Sequence, residues 1–565
     1  MTMTKNSLVD NLTASETRSS LFEKTISSEP TVVCSAFNQG GKAGLVSFSN
    51  IGSTLSADTP DAVAAAFPKT TAEHKGEILQ AGTESKTVAG KRVAVLFSGG
   101  PAAGGHNVLS GIHAILGAQN TLLGVKAGPK GLIQGDLFEI DSAELAKVHN
   151  LGGFDFLGSD RTKIKTDEQF AAVAETVKKF KLDGIIVVGG DDSNTNAAIL
   201  AEYLYDSGCK VIGVPKTIDG DLQVGSLLPI SFGFDTATKV YSELVGNILQ
   251  DTPSSRKYWH FIKLMGRSAS QVALEVALQT KPAVTLISEE VAAKKMSLDE
   301  IVTQIADVVA YRASKKLNYG AVLIPEGLIE FVPEFNVLIS ELNELMSHYE
   351  AELAAKNFAE QIEFLNSKLT SVSGKLLLSL PEEIQKMLLL ERDSHGNLQV
   401  SQIPTERLLM EMVGRKIKQS GSKLKFSAIG HFFGYEGRCG APTAFDAVFT
   451  YNLGITAGAL VLNGKTGYMA AITELETGGK ALAVPLTGLI HSERRHGKDE
   501  LVIEKALVQL DSPAFKYFTD RRKAWSQDDL FCSPGPRQYW GPCANQLPIL
   551  VALNQGYESI QYNIT

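Results

Sequence analysis

Cysteine is scarce in this chain, with five residues among 565: Cys34, Cys209, Cys439, Cys532 and Cys543. They are odd in number and show no C-x-x-C spacing, which argues against a disulfide scaffold or a zinc site and fits a reducing cytoplasm. A basic excess is also lacking, since 54 Lys+Arg stand against 62 Asp+Glu for a net charge of −8. Nucleic-acid binders show the opposite balance, so no nucleic-acid partner is expected. Net charge describes the whole surface, however, and a local basic cluster can still bind phosphate in a cleft. Long apolar runs are missing too. The longest, such as residues 185–188, are strand-sized, well short of the ~20 residues that span a bilayer, so no membrane partner is expected. Residues 1–12 are polar and lack the apolar segment of a secretory signal.

What is present is ordinary globular composition, 44% hydrophobic and 21% charged. A chain of 565 residues exceeds one ordinary core, so at least two domains are expected. Residues 1–90 are rich in Ser, Thr and Ala and read as an N-terminal extension with a helix near 62–66. The pattern changes at Lys91. Residues 92–97 form an apolar run that ends in Ser98-Gly99-Gly100, a buried strand followed by a glycine turn. The same unit recurs at 185–188, 211–214, 261–264 and 321–324, each run leading into a polar motif. Helical patterns lie between, for example at 170–180 and 270–278.

Strands alternating with helices predict an α/β fold, two doubly wound Rossmann-like lobes with parallel sheets. In such folds ligands bind beyond the carboxyl ends of the strands, where these motifs fall. The expected lobes are residues 91–260 and 261–565, with the chain crossing between them more than once. A mostly helical insertion is expected at about 331–420, where Leu338, Leu342, Leu345 and Tyr349 keep helical spacing. Within it Pro381-Glu382-Glu383 reads as a helix start with proline in the first turn. Sheet pattern resumes at Phe426.

Five constellations carry chemistry. In Gly189-Gly190-Asp191-Asp192-Ser193 the glycines let the backbone approach phosphate oxygens, and the helix that follows offers its N-terminal amides. Asp191 would repel a phosphate unless a cation intervened, and magnesium fits that place; a turn with solvated aspartates is the plainer alternative. In Thr217-Ile218-Asp219-Gly220-Asp221 two carboxylates share a strand-end loop, and one can accept a proton from an attacking hydroxyl. An Asx-type turn about Gly220 is the alternative.

The loop from Gly99 to Asn107 lacks the Gly-Lys-Ser/Thr of a Walker motif but could cradle phosphate with backbone amides; His106 within it reads as a packed histidine. Arg161, Lys216, Arg267 and Arg438 each sit beside a motif. Any one could be a surface cation, but together they suit two phosphorylated ligands in one cleft. Last, Gly434-Tyr435-Glu436-Gly437-Arg438 is a glycine-rich loop suited to a sugar phosphate, or simply a loop. None of this chemistry needs a covalent nucleophile. Anchored phosphate, metal, base and cations are the parts of direct phosphoryl transfer.

The motifs in this order resemble the phosphofructokinase family, especially its pyrophosphate-dependent long-chain branch, from about residue 91 to the end. The resemblance also takes in Phe67-Pro68-Lys69-Thr70 and the helical insertion. It implies a donor-binding first lobe and a sugar-phosphate-binding second lobe. Asp219 is then the base for the sugar 1-hydroxyl, with Asp221 supporting it and Asp191 the magnesium-site carboxylate. Lys216 and Asp192 belong to the catalytic and donor sites, with Gly99, Gly100 and Arg161 as further donor contacts. Thr217, Ile218, Asp219, Met265, Gly266, Arg267, Glu326, Tyr435, Glu436, Gly437 and Arg438 line the acceptor site. Lys257 and Tyr258 fall where relatives place a residue from the neighbouring subunit, which implies at least a homodimer.

The donor expectation rests on two residues. ATP-using relatives carry glycine where this chain has Asp192, and its carboxylate adds volume and charge where a nucleotide α-phosphate would sit. Lys216 likewise replaces a glycine and could neutralise Asp192 or grip pyrophosphate. The expected reaction is a reversible, magnesium-dependent transfer: fructose 6-phosphate and pyrophosphate give fructose 1,6-bisphosphate and phosphate. Three alternatives stay open: an ATP-dependent enzyme, a non-catalytic regulatory subunit, and a protein that shares only the fold.

Overall fold

The computed structural model describes residues 20–389, 403–421, 423–495, 498–541 and 543–563; the polar stretch 1–12 lies outside them, as do residues 390–402 of the insertion. The first sheet has ten strands: β1 Val46–Thr54, β2 Glu77–Ser85, β3 Arg92–Ser98, β4 Thr121–Val125, β5 Leu137–Glu139, β6 Ser159–Asp160, β7 Gly184–Gly189, β8 Lys210–Pro215, and late in the chain Tyr468–Thr473 and Lys480–Pro485. The second sheet has four: β9 Trp259–Leu264, β10 Val284–Thr285, β11 Gly320–Pro325 and β12 Ala428–Phe433. Naming the late strands β13 and β14, the first sheet runs β1-β2-β14-β13-β8-β7-β3-β4-β5 with β6 beside β3, and the second runs β10-β11-β9-β12.

The central strands are parallel and buried on both faces, which is why they read as unbroken apolar runs. Their side chains alternate between two cores. Val93, Val95, Phe97, Ile186 and Val188 point into one; Ala94, Leu96, Ile185 and Val187 point into the other. From β3 the chain goes to β4 on one side and later returns to β7 on the other. The carboxyl ends of β3 and β7 therefore flank a topological switch point, where open α/β sheets form their ligand crevice.

Residues 46–85 do not stand apart as an extension. The helix expected near 62–66 is present as Pro60–Ala66, but β1 and β2 extend the first sheet antiparallel through β14. Late in the chain β13 and β14 return to the first sheet.

The insertion is helical in its described residues, with Pro333–His348, Phe358–Lys368, Ser371–Ser379, Glu382–Leu388 and Thr405–Gln419. Leu338 and Leu342 bury against Trp259 and Phe261 of β9. Pro381 is the N-cap of its helix rather than part of the first turn. Lys263 of β9 ties the insertion down by donating to the Ile403 carbonyl at 2.9 Å, and it stands 3.7 Å from Glu406 Oε2.

Five helices position the site: α1 Gly105–Leu116, α2 Asp191–Tyr203, α3 Phe234–Ser255, α4 Gln271–Thr280 and α5 Ala444–Leu462. α1 and α5 cross so closely that a Cβ on Gly111 would run into the Tyr451 carbonyl, and one on Gly454 into the Val108 carbonyl. Among the described residues α5 alone is long and apolar enough to cross a membrane, contrary to the expectation of strand-sized runs only. Most of it is buried within the protein, which accounts for its apolar surface.

Candidate active site

Each strand-end motif opens into one cleft between the two sheets. At the end of β3, Gly99 takes φ +85°, a conformation that favours glycine. Its N–H donates to the Asp160 carbonyl at 2.9 Å, and the Gly99 carbonyl accepts from Ser159 Oγ at 2.9 Å. A Cβ on Gly99 would lie 3.7 Å from Lys216 Nζ; one on Gly100 would lie 3.1 Å from Arg438 Nη1 and 3.7 Å from Arg161 Nη2. Three cations from separate elements thus converge on two glycines. Across the turn Ser193 Oγ donates to Ser98 Oγ at 2.8 Å, bringing the N-terminus of α2 to the same place. The free amides of that first turn suit an anion.

Asp191 and Asp192 open α2. Asp191 Oδ2 is buried without a hydrogen-bond partner, and the nearest cation is Lys505 Nζ at 3.8 Å. Burial pushes the Asp191 carboxyl up, Lys505 opposes this, and the charges of Asp192 and Asp221 add to it. The ion pair at Asp192 is with Lys163, whose Nζ stands 3.7 Å from Oδ1. Lys216, the residue expected to neutralise Asp192, is itself buried; burial lowers it to about 8, against the charges of Asp219 and Asp221.

After β8 the Thr217 hydroxyl accepts from the Asp219 N–H at 3.1 Å, and Asp219 Oδ2 accepts from the Arg267 N–H at 3.3 Å. Asp219 is half-buried on the cleft floor and not in the solvated loop that its flanking glycine suggests. Burial and then the charge of Glu326 push its carboxyl up, while the Arg267 amide, Arg438 and Lys216 hold it down. Asp221 rises to about 6, first through burial and then through Asp219. Two acids so close cannot both ionise freely, and the first proton is shared within the pair. The Ile218 side chain is buried in the core, so only its backbone can meet a ligand.

The acceptor motifs gather at the ends of β9, β11 and β12. Glu326 Oε2 accepts from the Gly266 N–H at 3.0 Å, which fixes the Met265-Gly266-Arg267 turn. Arg438 Nε donates to Met265 Sδ at 3.2 Å. Glu436 turns back on its own loop to accept from the Gly434 N–H at 2.8 Å. Gly437 packs where a Cβ would strike the Tyr241 ring. Tyr435 is 74% exposed with Arg438 beside its ring, and Arg267 is exposed. Lys257 and Tyr258 precede β9 and so lie at the opposite end of that strand from Met265. Within one chain they are remote from this cleft.

Two residues of the cleft escaped sequence reasoning. Lys163 follows Arg161 closely, and that basic pairing was a usable signal. Lys505 lies in no glycine turn and 314 and 284 residues beyond Asp191 and Asp221, so nothing local marks it.

A family model described as phosphofructokinase matches residues 92–461. A Treponema pallidum (strain Nichols) protein named pyrophosphate–fructose 6-phosphate 1-phosphotransferase is 50% identical over 468 residues, spanning 80% of this chain and 82% of its own length. A Solanum tuberosum protein named as subunit beta of such an enzyme is 46% identical over 484 residues, spanning 83% of each chain. Among solved structures, a pyrophosphate-dependent phosphofructokinase from Nitrosospira multiformis aligns with TM-score 0.51 and 15% identity, covering 82% of this chain and 97% of that one; this is a likeness of fold.

Proposed function

The chain belongs to the phosphofructokinase family, and we infer that it transfers a phosphoryl group from pyrophosphate to the 1-hydroxyl of fructose 6-phosphate, giving fructose 1,6-bisphosphate and phosphate. The observation that carries the donor reading is the crowd of charge around Gly99 and Gly100. Lys216, Arg161 and Arg438 reach these glycines, while Asp192 opens α2 beside them. Such a pocket grips a compact polyanion and sets a carboxylate against any donor that continues past its second phosphate.

In the proposed mechanism Asp219 accepts the proton of the 1-hydroxyl as that oxygen attacks phosphorus. The Arg267 amide and the Thr217 hydroxyl orient Asp219 for this step. Asp221, beside it, tunes its proton affinity. Lys216, Arg161 and the first amides of α2 hold the leaving phosphate, so its developing charge needs no solvent reorganisation. Arg267, Arg438, Tyr435 and the Glu326-fixed turn hold the sugar phosphate. Asp191 fits a magnesium ion, because its buried Oδ2 has no hydrogen-bond partner. When bound, the ion would neutralise charge on the donor oxygens. No cluster of three or more potential metal ligands exists among the described residues. That suits magnesium, which takes one or two carboxylates and draws its other ligands from phosphate and water.

A homodimer completes this reading: Lys257 and Tyr258, remote from their own cleft, would serve a neighbour's. Reversibility, and a cytoplasmic location with its free cysteines, belong to the same proposal. The regulatory-subunit alternative is disfavoured because Asp191, Asp192, Lys216, Asp219 and Asp221 are all present and gathered. The test is an initial-rate assay with magnesium and fructose 6-phosphate, comparing pyrophosphate with ATP. Turnover with pyrophosphate alone is expected. Turnover with ATP alone would overturn the donor, and silence with both would favour the regulatory subunit.

A further inference from the structure

After β13 and β14 the chain forms a hairpin, β15 Ile490–Arg495 and β16 Lys498–Ile503, and then runs as an extended segment across the cleft. Each contact of that segment is with a different part of the machinery. The Ile503 N–H donates to Thr195 Oγ1, in the second turn of α2, at 2.9 Å. The Ala506 N–H donates to the Asp221 carbonyl at 2.7 Å. The Val508 N–H donates to Glu289 Oε1 at 3.0 Å, and the same oxygen accepts from the Ser270 N–H, just beyond the Met265-Gly266-Arg267 turn. Within six residues the segment therefore spans the donor helix, the catalytic loop and the acceptor loop. In the middle of it Lys505 Nζ donates to Ser268 Oγ at 3.2 Å and stands 3.8 Å from Asp191 Oδ2. Its side chain is 38% exposed, so it is only partly enclosed by these contacts.

We propose that Lys505 is a further catalytic residue, whose ammonium contacts the phosphoryl group in transit between the donor site and the acceptor site. This rests on the pyrophosphate reading above. Ser268 belongs to the acceptor turn and Asp191 to the donor helix, so a group between them lies where the bond to phosphorus is exchanged. In the step, the sugar oxygen forms a bond to phosphorus and the bond to the bridging oxygen breaks. Its electron pair leaves on phosphate, and the hydroxyl proton passes to Asp219. Lys505 donates hydrogen bonds to the equatorial oxygens and gives up no proton. Local sequence could not reveal this residue, because the contact arises only when the segment after the late hairpin packs against α2 and the Asp221 loop.

The test compares wild type, Lys505→Met, Lys505→Arg and Thr195→Val, the last loosening the segment without touching the ammonium. kcat and KM for pyrophosphate and for fructose 6-phosphate are measured beside Tm, with and without pyrophosphate. Lys505→Met is expected to lose about 10- to 100-fold in kcat/KM for pyrophosphate, the size of one charge-assisted hydrogen bond. Its Tm should be unchanged, the Tm gain on adding pyrophosphate should shrink, and arginine should restore part of the rate. Matching losses of rate and Tm in Lys505→Met and Thr195→Val would make the segment a brace and overturn the role. An active wild type beside an equally active Lys505→Met would defeat the role of Lys505 alone. A wild type inactive with pyrophosphate would defeat the donor reading itself.

Discussion

The two halves of the cleft are built differently. On the donor side Lys216 is buried and Asp191 nearly so, although Arg161 and Asp192 stand exposed, and Gly99 is held by its N–H on the Asp160 carbonyl. On the acceptor side Tyr435 and Arg267 stand out in solvent, held only by the turn beneath them. A buried charge exerts a strong field and tolerates few ligands, whereas an exposed one waits for a ligand or a neighbouring chain to desolvate it. Selection by charge should therefore reside in the donor half, and the acceptor half should act mainly through contact and closure.

Removing the base should have the largest effect and spare both halves. Asp219→Ala is expected to cost about 100- to 10,000-fold in kcat with binding of both substrates retained, as kinetics and pyrophosphate titration would check. A variant as active as wild type would remove Asp219 from the role. Lys216→Met attacks the donor half alone, and kcat/KM for pyrophosphate should fall about 100- to 1,000-fold with fructose 6-phosphate binding little changed. Equal losses for both substrates would erase the contrast. Asp192→Gly removes the repulsive carboxylate, and ATP turnover should rise by about tenfold or more while pyrophosphate use weakens. Unchanged donor preference would mean that another feature sets it. Tyr435→Phe in the open half should raise KM for fructose 6-phosphate only severalfold, by about 2- to 10-fold.

The pH profile gives the finest comparison. Asp221 rises to about 6 and belongs to a pair that must be ionised, so kcat/KM should fall as pH drops through about 6. Lys216 is lowered to about 8 and must be charged, so kcat/KM should also fall as pH rises through about 8. Lys216→Met should flatten the alkaline limb, and Tyr435→Phe should leave both limbs in place.

The contrast also governs what could be read from sequence. The central strands β3, β7 and β8 of the first sheet were legible because burial on both faces leaves unbroken apolar runs, and the motifs because strand ends carry them. β1 was not, because it is mostly exposed and its sequence, VSFSNIGST, carries no buried pattern beyond Val46. α5 was missed because Asp446, Asn452 and two threonines interrupt its apolar run. Asp446 is matched by the Gly233 and Thr236 N–H groups, partners more than 200 residues away. Asp219, the proposed base, was legible as a residue but not in its setting: nothing local told that it would be half-buried with Glu326, Arg438 and Lys216 around it. Side chains set by a nearby turn could be inferred; those set by a distant partner, like Lys505, could not.

The crossing of α1 and α5 bears on the distance that chemistry has to cover. α1 leaves the donor loop and α5 follows the acceptor loop, and the helices touch backbone to backbone at Gly111 and Gly454. They work as a gauge block between the two loops. With no side chain between them at those two points, the helices are already at backbone contact and fix the separation of the two loops they carry. A single methyl at Gly454 would widen that gauge, and a shift of about 1 Å can cost about 100-fold in rate. The rate of this enzyme would then register a change made far from any reacting atom.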